Sequence, residues 1–274
     1  MVWGEIMINQ NNIMFKKNQK GATLMVVLFL LLIIMVVGTY AIKMGVTSLG
    51  ISTNAQINQL LSQSADTPLN KYLNTADLSR LVSYTTAVGA AIDDKGVNKE
   101  FIFCYKPTNN RAFGLNADTS IITANETGDD ARLVNSGVSG FCNIERDFGS
   151  ARQAVVTQVA ITIPKSRDAT KSPGDNLVRG TNLSEGTGLP KNLVSQDTIR
   201  VTTTAFLPAY ANTSLDNVQT NCLSSNKTYI SDNLNEDLST KKTLRECLSE
   251  YNIPVVSQVQ EFTLAAFLKQ TEAP

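Results

Sequence analysis

The residues able to do chemistry are few, and none of their groupings is complete. Histidine is absent from the 274 residues, which removes His-based triads, imidazole metal sites and the usual near-neutral proton shuttle. Ser239-Thr240-Lys241-Lys242 has the Ser-x-x-Lys spacing that sets a lysine amine beside a serine nucleophile, and Ser231-Asp232-Asn233 spells a second part of the same acyl-transfer constellation. Their order is reversed, they are crowded together, and the third part, Lys-Thr-Gly, is missing. Asn233, Asn235 and Asp237 alternate like calcium-loop ligands, but Leu238 stands where the turn needs glycine and Leu244 where a bidentate glutamate would close the shell. Gly186-Thr187-Gly188-Leu189-Pro190-Lys191 lacks the spacing of a phosphate-binding loop. The composition therefore argues against an enzyme, and no cofactor or metal is expected. Lys+Arg and Asp+Glu are both 24, so nothing in the charge balance calls for nucleic acid.

What remains is cysteine. Cys104, Cys142, Cys222 and Cys247 are too widely spaced for a thiolate zinc site. Their even number fits a disulfide framework in an oxidising compartment. Three connectivities are open, and loop-closure entropy favours joining neighbours, Cys104 with Cys142 and Cys222 with Cys247.

The elements that must carry these residues are set by one anomaly. Charged residues make up 18% of the chain, against about 25% in ordinary soluble domains, and the deficit has one address: between Gly21 and Ala65 the only charge is Lys43. Ala22 to Ile42 is uncharged and almost wholly apolar. As a helix it spans ~31 Å, the thickness of a bilayer's hydrocarbon core. Lys16, Lys17 and Lys20 precede it and only Lys43 follows closely, so the amino terminus is expected in the cytoplasm and the bulk of the chain outside. A cleaved secretory signal has a shorter apolar stretch. A plain membrane anchor is the simplest alternative.

Beyond the span, Val46, Leu49, Thr53, Ile57, Leu60 and Ser64 recur at helical spacing, and nothing interrupts before Pro68. One helix from Ala22 to Ala65, ~66 Å long, is expected. Gly38, Gly45 and Gly50 inside it suit close helix packing. Downstream, Thr75 to Ala91 and Thr240 to Tyr251 read as helices, with Leu78, Leu81 and Val82 on one side of the first and Cys247 in the second. Glu100 to Lys106, Ala154 to Ile163, Thr198 to Leu207 and Val255 to Phe267 read as strands of an antiparallel sheet. In the third, Ile199, Val201, Thr203, Ala205 and Leu207 share a face. Lys165 to Gln196, rich in Gly, Asn, Ser, Lys and Pro, exceeds the ~12 to 15 residues of ordinary loops and reads as a surface or recognition segment.

The junction Met14-Phe15-Lys16-Lys17-Asn18-Gln19-Lys20-Gly21, followed by Ala22-Thr23-Leu24-Met25-Val26, resembles a type IV prepilin leader. The resemblance implies cleavage between Gly21 and Ala22 by the prepilin peptidase, leaving the span in the mature chain. On this reading Met14 is a natural start, and residues 1–13 an upstream extension. Major pilins carry Glu at the fifth mature position, where this chain has Val26. A carboxylate in a membrane is costly and kept for a purpose. With that departure the segment resembles minor pilins of the PilX type, with the type II secretion tip pseudopilin as the nearest alternative. A membrane-tethered periplasmic binding or sensor domain is the alternative from another class.

The resemblance implies an α+β, pilin-like fold. A long N-terminal helix, half transmembrane and half periplasmic, would pack on an antiparallel sheet. Residues 1–21 form the extension and leader, 22–65 the helix, and 66–274 the periplasmic domain. The implied role is structural: priming pilus assembly from the inner membrane and standing at or near the filament tip, with a part in adhesion or motility. Its implied partners are other minor pilins and pilin subunits, the prepilin peptidase, the inner-membrane assembly platform and a tip adhesin. Val26 would mark the tip position. The pair Cys222 and Cys247 resembles the disulfide-bounded C-terminal region of many pilins.

Overall fold

The computed structural model describes residues 22–74, 81–94, 98–107, 113–134, 137–149, 152–164, 198–224 and 227–263. Contacts divide the chain into two units, Met1–Asn54 and Ala55–Pro274. The first consists, among the described residues, of helix alone, and the second holds the sheet and its coverings.

Helix α1 runs Ala22–Leu73, past both the expected end at Ala65 and the expected breaker Pro68. Proline offers no N–H to the carbonyl four residues back and costs a helix interior about 3 kcal/mol. Here Pro68 is itself buried, and the turns it begins carry Leu69 and Tyr72 into the core. Burying two large side chains at about 1.5–3 kcal/mol each offsets that cost. The packing stripe also differs from the expected one. It starts at the half-buried Ile57 and runs through Leu61, Ala65, Pro68, Leu69 and Tyr72, whereas Val46, Leu49 and Leu60 stay exposed.

The sheet is antiparallel with six strands in the order β3-β2-β1-β4-β5-β6. The strands are β1 Lys99–Cys104, β2 Ser120–Ala124, β3 Ala131–Leu133, β4 Val156–Thr162, β5 Thr198–Phe206 and β6 Val255–Thr263. Four of them fall where the pattern of alternation puts them. β2 and β3 are additions, because strands of five and three residues are too short to show a period of two against neighbouring turns. The helix expected over Thr75 to Ala91 has its first part, with Leu78, outside the described residues. Leu81 is buried in the core, and a turn follows before α2, Ala87–Asp94. Thr86 makes that break: its hydroxyl donates to the Leu81 carbonyl (2.6 Å) and accepts from the Gly89 N–H (3.1 Å). A side chain at position 89 would meet the Ser83 carbonyl oxygen at 2.1 Å, so only glycine fits.

Both faces of the sheet are covered. On one, Ile199 and Val201 join Phe101, Phe103, Val159 and Ile161 beneath Leu69, Tyr72 and α2. Further along the same face Ala205 and Leu207 meet Leu61 and Ala65, and the Thr203 hydroxyl donates to the Ala65 carbonyl (2.9 Å). The expected face of β5 is thus the helix-bearing one. On the other face lies the excursion between β5 and β6, with α3, Leu215–Cys222, and α4, Leu244–Glu250. The second expected helix starts at Leu244 rather than Thr240, because Thr243 caps it. Lys165 to Gln196 and the end of the fourth expected strand, beyond Thr263, lie outside the described residues.

Candidate functional site: the apolar helix and the buried polar cluster

Between Ala22 and Asn54, α1 exposes apolar side chains on every side, from Leu24 through Ile51. A helix without a polar face needs lipid or other apolar helices around it. Its hydroxyls suit such a medium. Thr39, Thr47 and Thr53 donate to the carbonyls of Val36, Lys43 and Leu49, each at 2.9 Å, so no hydroxyl hydrogen among them is left unbonded. A side chain built at Gly38, Gly45 or Gly50 meets nothing within 4 Å. The space these glycines leave is open to a neighbouring helix. Ala22 is the first described residue, and Gly21 and the basic leader lie outside. Val26 is 58% exposed on this surface.

The cysteines form two disulfides, Cys104–Cys142 and Cys222–Cys247, with Cα separations of 4.8 and 5.9 Å. The first ties the end of β1 to the loop ahead of β4. The second joins α3 to α4 in the core beneath the excursion.

The motif residues do structural work. The Ser231 N–H donates to both oxygens of the Glu100 carboxyl (3.0 and 2.8 Å). Asp232 pairs with Arg200 (3.2 Å) and accepts from the Thr202 hydroxyl. Asn235, one of the calcium-like positions, accepts from the Arg200 guanidinium (3.1 Å), while the Asn233 side chain donates to the Ser239 carbonyl (3.3 Å). Asn233 and Asn235 thus spend their side chains on different partners. Lys242 pairs with Glu250 (2.6 Å) and lies over the Tyr229 ring, and Lys241 donates to the Gly128 carbonyl (2.6 Å). The Ser239 hydroxyl donates to the Glu236 carbonyl (3.0 Å), not to a lysine.

These contacts center on a buried polar cluster that sequence reading missed. Glu100, Thr162, Arg200 and Glu261 stand opposite one another across β1, β4, β5 and β6. Arg200 is 7% exposed and binds Asp232, 10% exposed, as well as Glu261 (2.8 Å). The guanidinium is already matched by two carboxylates, and among the described residues no ion pair includes Glu100. Burial, reinforced by the Asp232 charge and opposed by the Ser231 hydrogen bonds, raises its pKa to about 8. The cluster fastens the segment around Ser231 to Asn235 onto the sheet. Its signal in the sequence was a charge at a core-facing position of two strands, Glu100 and Arg200.

Residues 20–70 match the family model described as PilX N-terminal. The chain matches no curated protein sequence and no solved structure. The match covers most of α1, and with the antiparallel sheet that follows, the architecture is α+β and pilin-like. The apolar helix and the two disulfides fit the features of type IV pilus minor pilins.

Proposed function

We propose that this protein is a minor pilin of the PilX type that primes type IV pilus assembly and takes a place at or near the filament tip. The observation that carries the reading is the coincidence of the matched stretch, residues 20–70, with a helix apolar on every side whose last turns are built into a folded domain. The apolar part holds the subunit in the inner membrane, amino terminus inward, and associates with the corresponding helices of neighbouring subunits, where close packing drives association. The globular part faces the periplasm and sets which subunit lies beside it. The prepilin peptidase cuts after Gly21, the assembly platform receives the subunit, and the other minor pilins and a tip adhesin complete the complex. The protein's role is structural, and it acts on no substrate.

Mass spectrometry of the protein from its native membrane tests this. A mature chain beginning at Ala22 with a methylated amine is the expected result. An intact segment from Lys16 to Lys20 would overturn the reading in favour of a tethered binding or sensor domain.

Tip placement rests on Val26. Without a carboxylate there, the subunit cannot offer a neighbour's terminal amine its usual partner inside the apolar core. Val26→Glu restores that group and should move the subunit from the tip into the shaft, as read by immunogold labelling of sheared pili. Unchanged tip labelling and piliation would remove the support for this cause.

A further inference from the structure

The two edges of the sheet differ in kind. β3 at one edge has three residues, carries Arg132, and is bridged by Thr228, whose carbonyl accepts from the Ala131 N–H (2.6 Å). β6 at the other edge has nine residues, pairs with β5 without a bulge, and contains neither Pro nor Lys. Among the described residues no strand covers its outer side. Short length, Lys, Pro, bulges or a covering bridge are how proteins keep edges from pairing. β3 shows several of these devices, whereas β6 has only the charge of Glu261, which is paired with Arg200.

The ladder fixes which groups of β6 point outward. The Leu207 N–H donates to the Pro254 carbonyl just beyond the β5–β6 ladder. Antiparallel pairs alternate between bonded and non-bonded, so Val256, Gln258, Gln260 and Phe262 turn their backbone groups to β5. Val255, Ser257, Val259, Glu261 and Thr263 therefore turn theirs to the open edge. The only charge on the strand, Glu261, is bound by Arg200, and Val259 in the middle is 37% exposed.

We propose that this edge pairs with β6 of a second copy of the chain, antiparallel about a two-fold axis at Val259, so that the two sheets become one. The strand is complementary to itself in that register. Val259 faces Val259, Ser257 faces Glu261, Gln258 faces Gln260, Val256 faces Phe262 and Val255 faces Thr263. Apolar side chains, amides and hydroxyl–carboxylate pairs meet their match, which is how cross-strand pairs stabilise a sheet. Centering on Gln258 or Gln260 sets Glu261 opposite Val255 or Val259, and centering on Glu261 sets two carboxylates face to face. The proposal goes beyond the pilin reading and does not depend on it.

The test uses the full-length chain in detergent micelles, with light scattering behind size-exclusion chromatography to read its mass against concentration. The expected result is a dimer in equilibrium with monomer. In Val259→Pro the lost N–H belongs to the open edge and not to the β5 ladder, so the fold should persist. Dimerisation should weaken roughly tenfold or more, since two hydrogen bonds vanish per dimer. Val259→Thr, which keeps the N–H and the branched side chain, should dimerise like the parent. Should Val259→Pro fail to fold, cysteine pairing decides: a mixture of Gln258→Cys and Gln260→Cys chains should form an intermolecular disulfide that neither variant forms alone, because directly opposed non-bonded positions lie ~4.5 Å apart. A parent that is monomeric throughout overturns the proposal. So does a Val259→Pro dimer as tight as the parent's, or cross-linking by either cysteine variant alone that equals the mixture's.

Discussion

At the scale of single residues, Glu100 is the most consequential side chain in the globular part. Arg200, the cation of its cluster, is already shared by Asp232 and Glu261, and burial outweighs the hydrogen bonds that its own oxygens receive from Ser231 and from the Asp232 N–H. The folded protein therefore holds the Glu100 proton up to about pH 8, against an ordinary value of 4.5. A group whose folded pKa is raised contributes stability that is full below the unfolded value. That contribution is lost as pH climbs through the window between the two values, at no more than about 1.4 kcal/mol per pH unit. Glu100→Gln keeps an acceptor for Ser231 and cannot ionise. Its stability by denaturant titration should match the parent below about pH 4.5, exceed it progressively from pH 5 to 8, and keep a constant excess above that. Parallel profiles for the two proteins would show that Glu100 does not titrate in this window. Tyr72 presents the opposite situation: its hydroxyl is buried with no hydrogen-bond partner among the described residues, while its ring meets Phe113 edge-on at 5.1 Å. Burial, with Tyr105 nearby, raises its pKa, so it stays neutral and serves as packing.

At the scale of elements, the ends of helices decided more than their interiors. α4 begins where Thr243 and Glu246 form a reciprocal capping box: the Thr243 hydroxyl accepts the Glu246 N–H (3.3 Å), and the Glu246 carboxylate accepts the Thr243 N–H (2.7 Å). Thr243→Ala removes one half and leaves the other, and should cost about 1 kcal/mol in denaturant unfolding. The change leaves the Cys222–Cys247 bond intact, so a loss well above 2 kcal/mol would mean that Thr243 holds more than the cap. The Thr-x-x-Glu signature was readable in the chain, yet the expected helix began at Thr240, three residues before the cap. Pro68 misled in the other direction. A proline forbids a hydrogen bond, but whether the helix stops depends on what the following turn buries, and here that is Leu69 and Tyr72.

At the scale of the whole molecule, the apolar character of the first part of α1 was legible because membrane compatibility is a property of composition. The uncharged run from Ala22 to Ile42 announces its solvent without reference to any other part of the chain. β1, β4, β5 and β6 were legible for a similar reason, since alternation along one strand records that its two faces differ. The match over residues 20–70 falls on the part whose character is local, and the remainder required tertiary contacts to interpret. Seen from the sequence, Ser231-Asp232-Asn233 and Asn233, Asn235 and Asp237 were fragments of catalytic or metal chemistry. The fold brings Asp232 and Asn235 to Arg200 across more than thirty residues of chain and makes them a clasp.

The sequence by itself determined the apolar helix, the main strands and the absence of a histidine chemistry. These follow from composition and short periods, which act through solvent and local geometry. Only the tertiary structure decided which stripe of α1 meets the sheet, that Glu100 is buried beside Asp232, and that β6 is the last strand of the sheet. Each of those depends on which distant segment lies alongside, and strand order and burial arise from pairings that no single stretch of residues encodes.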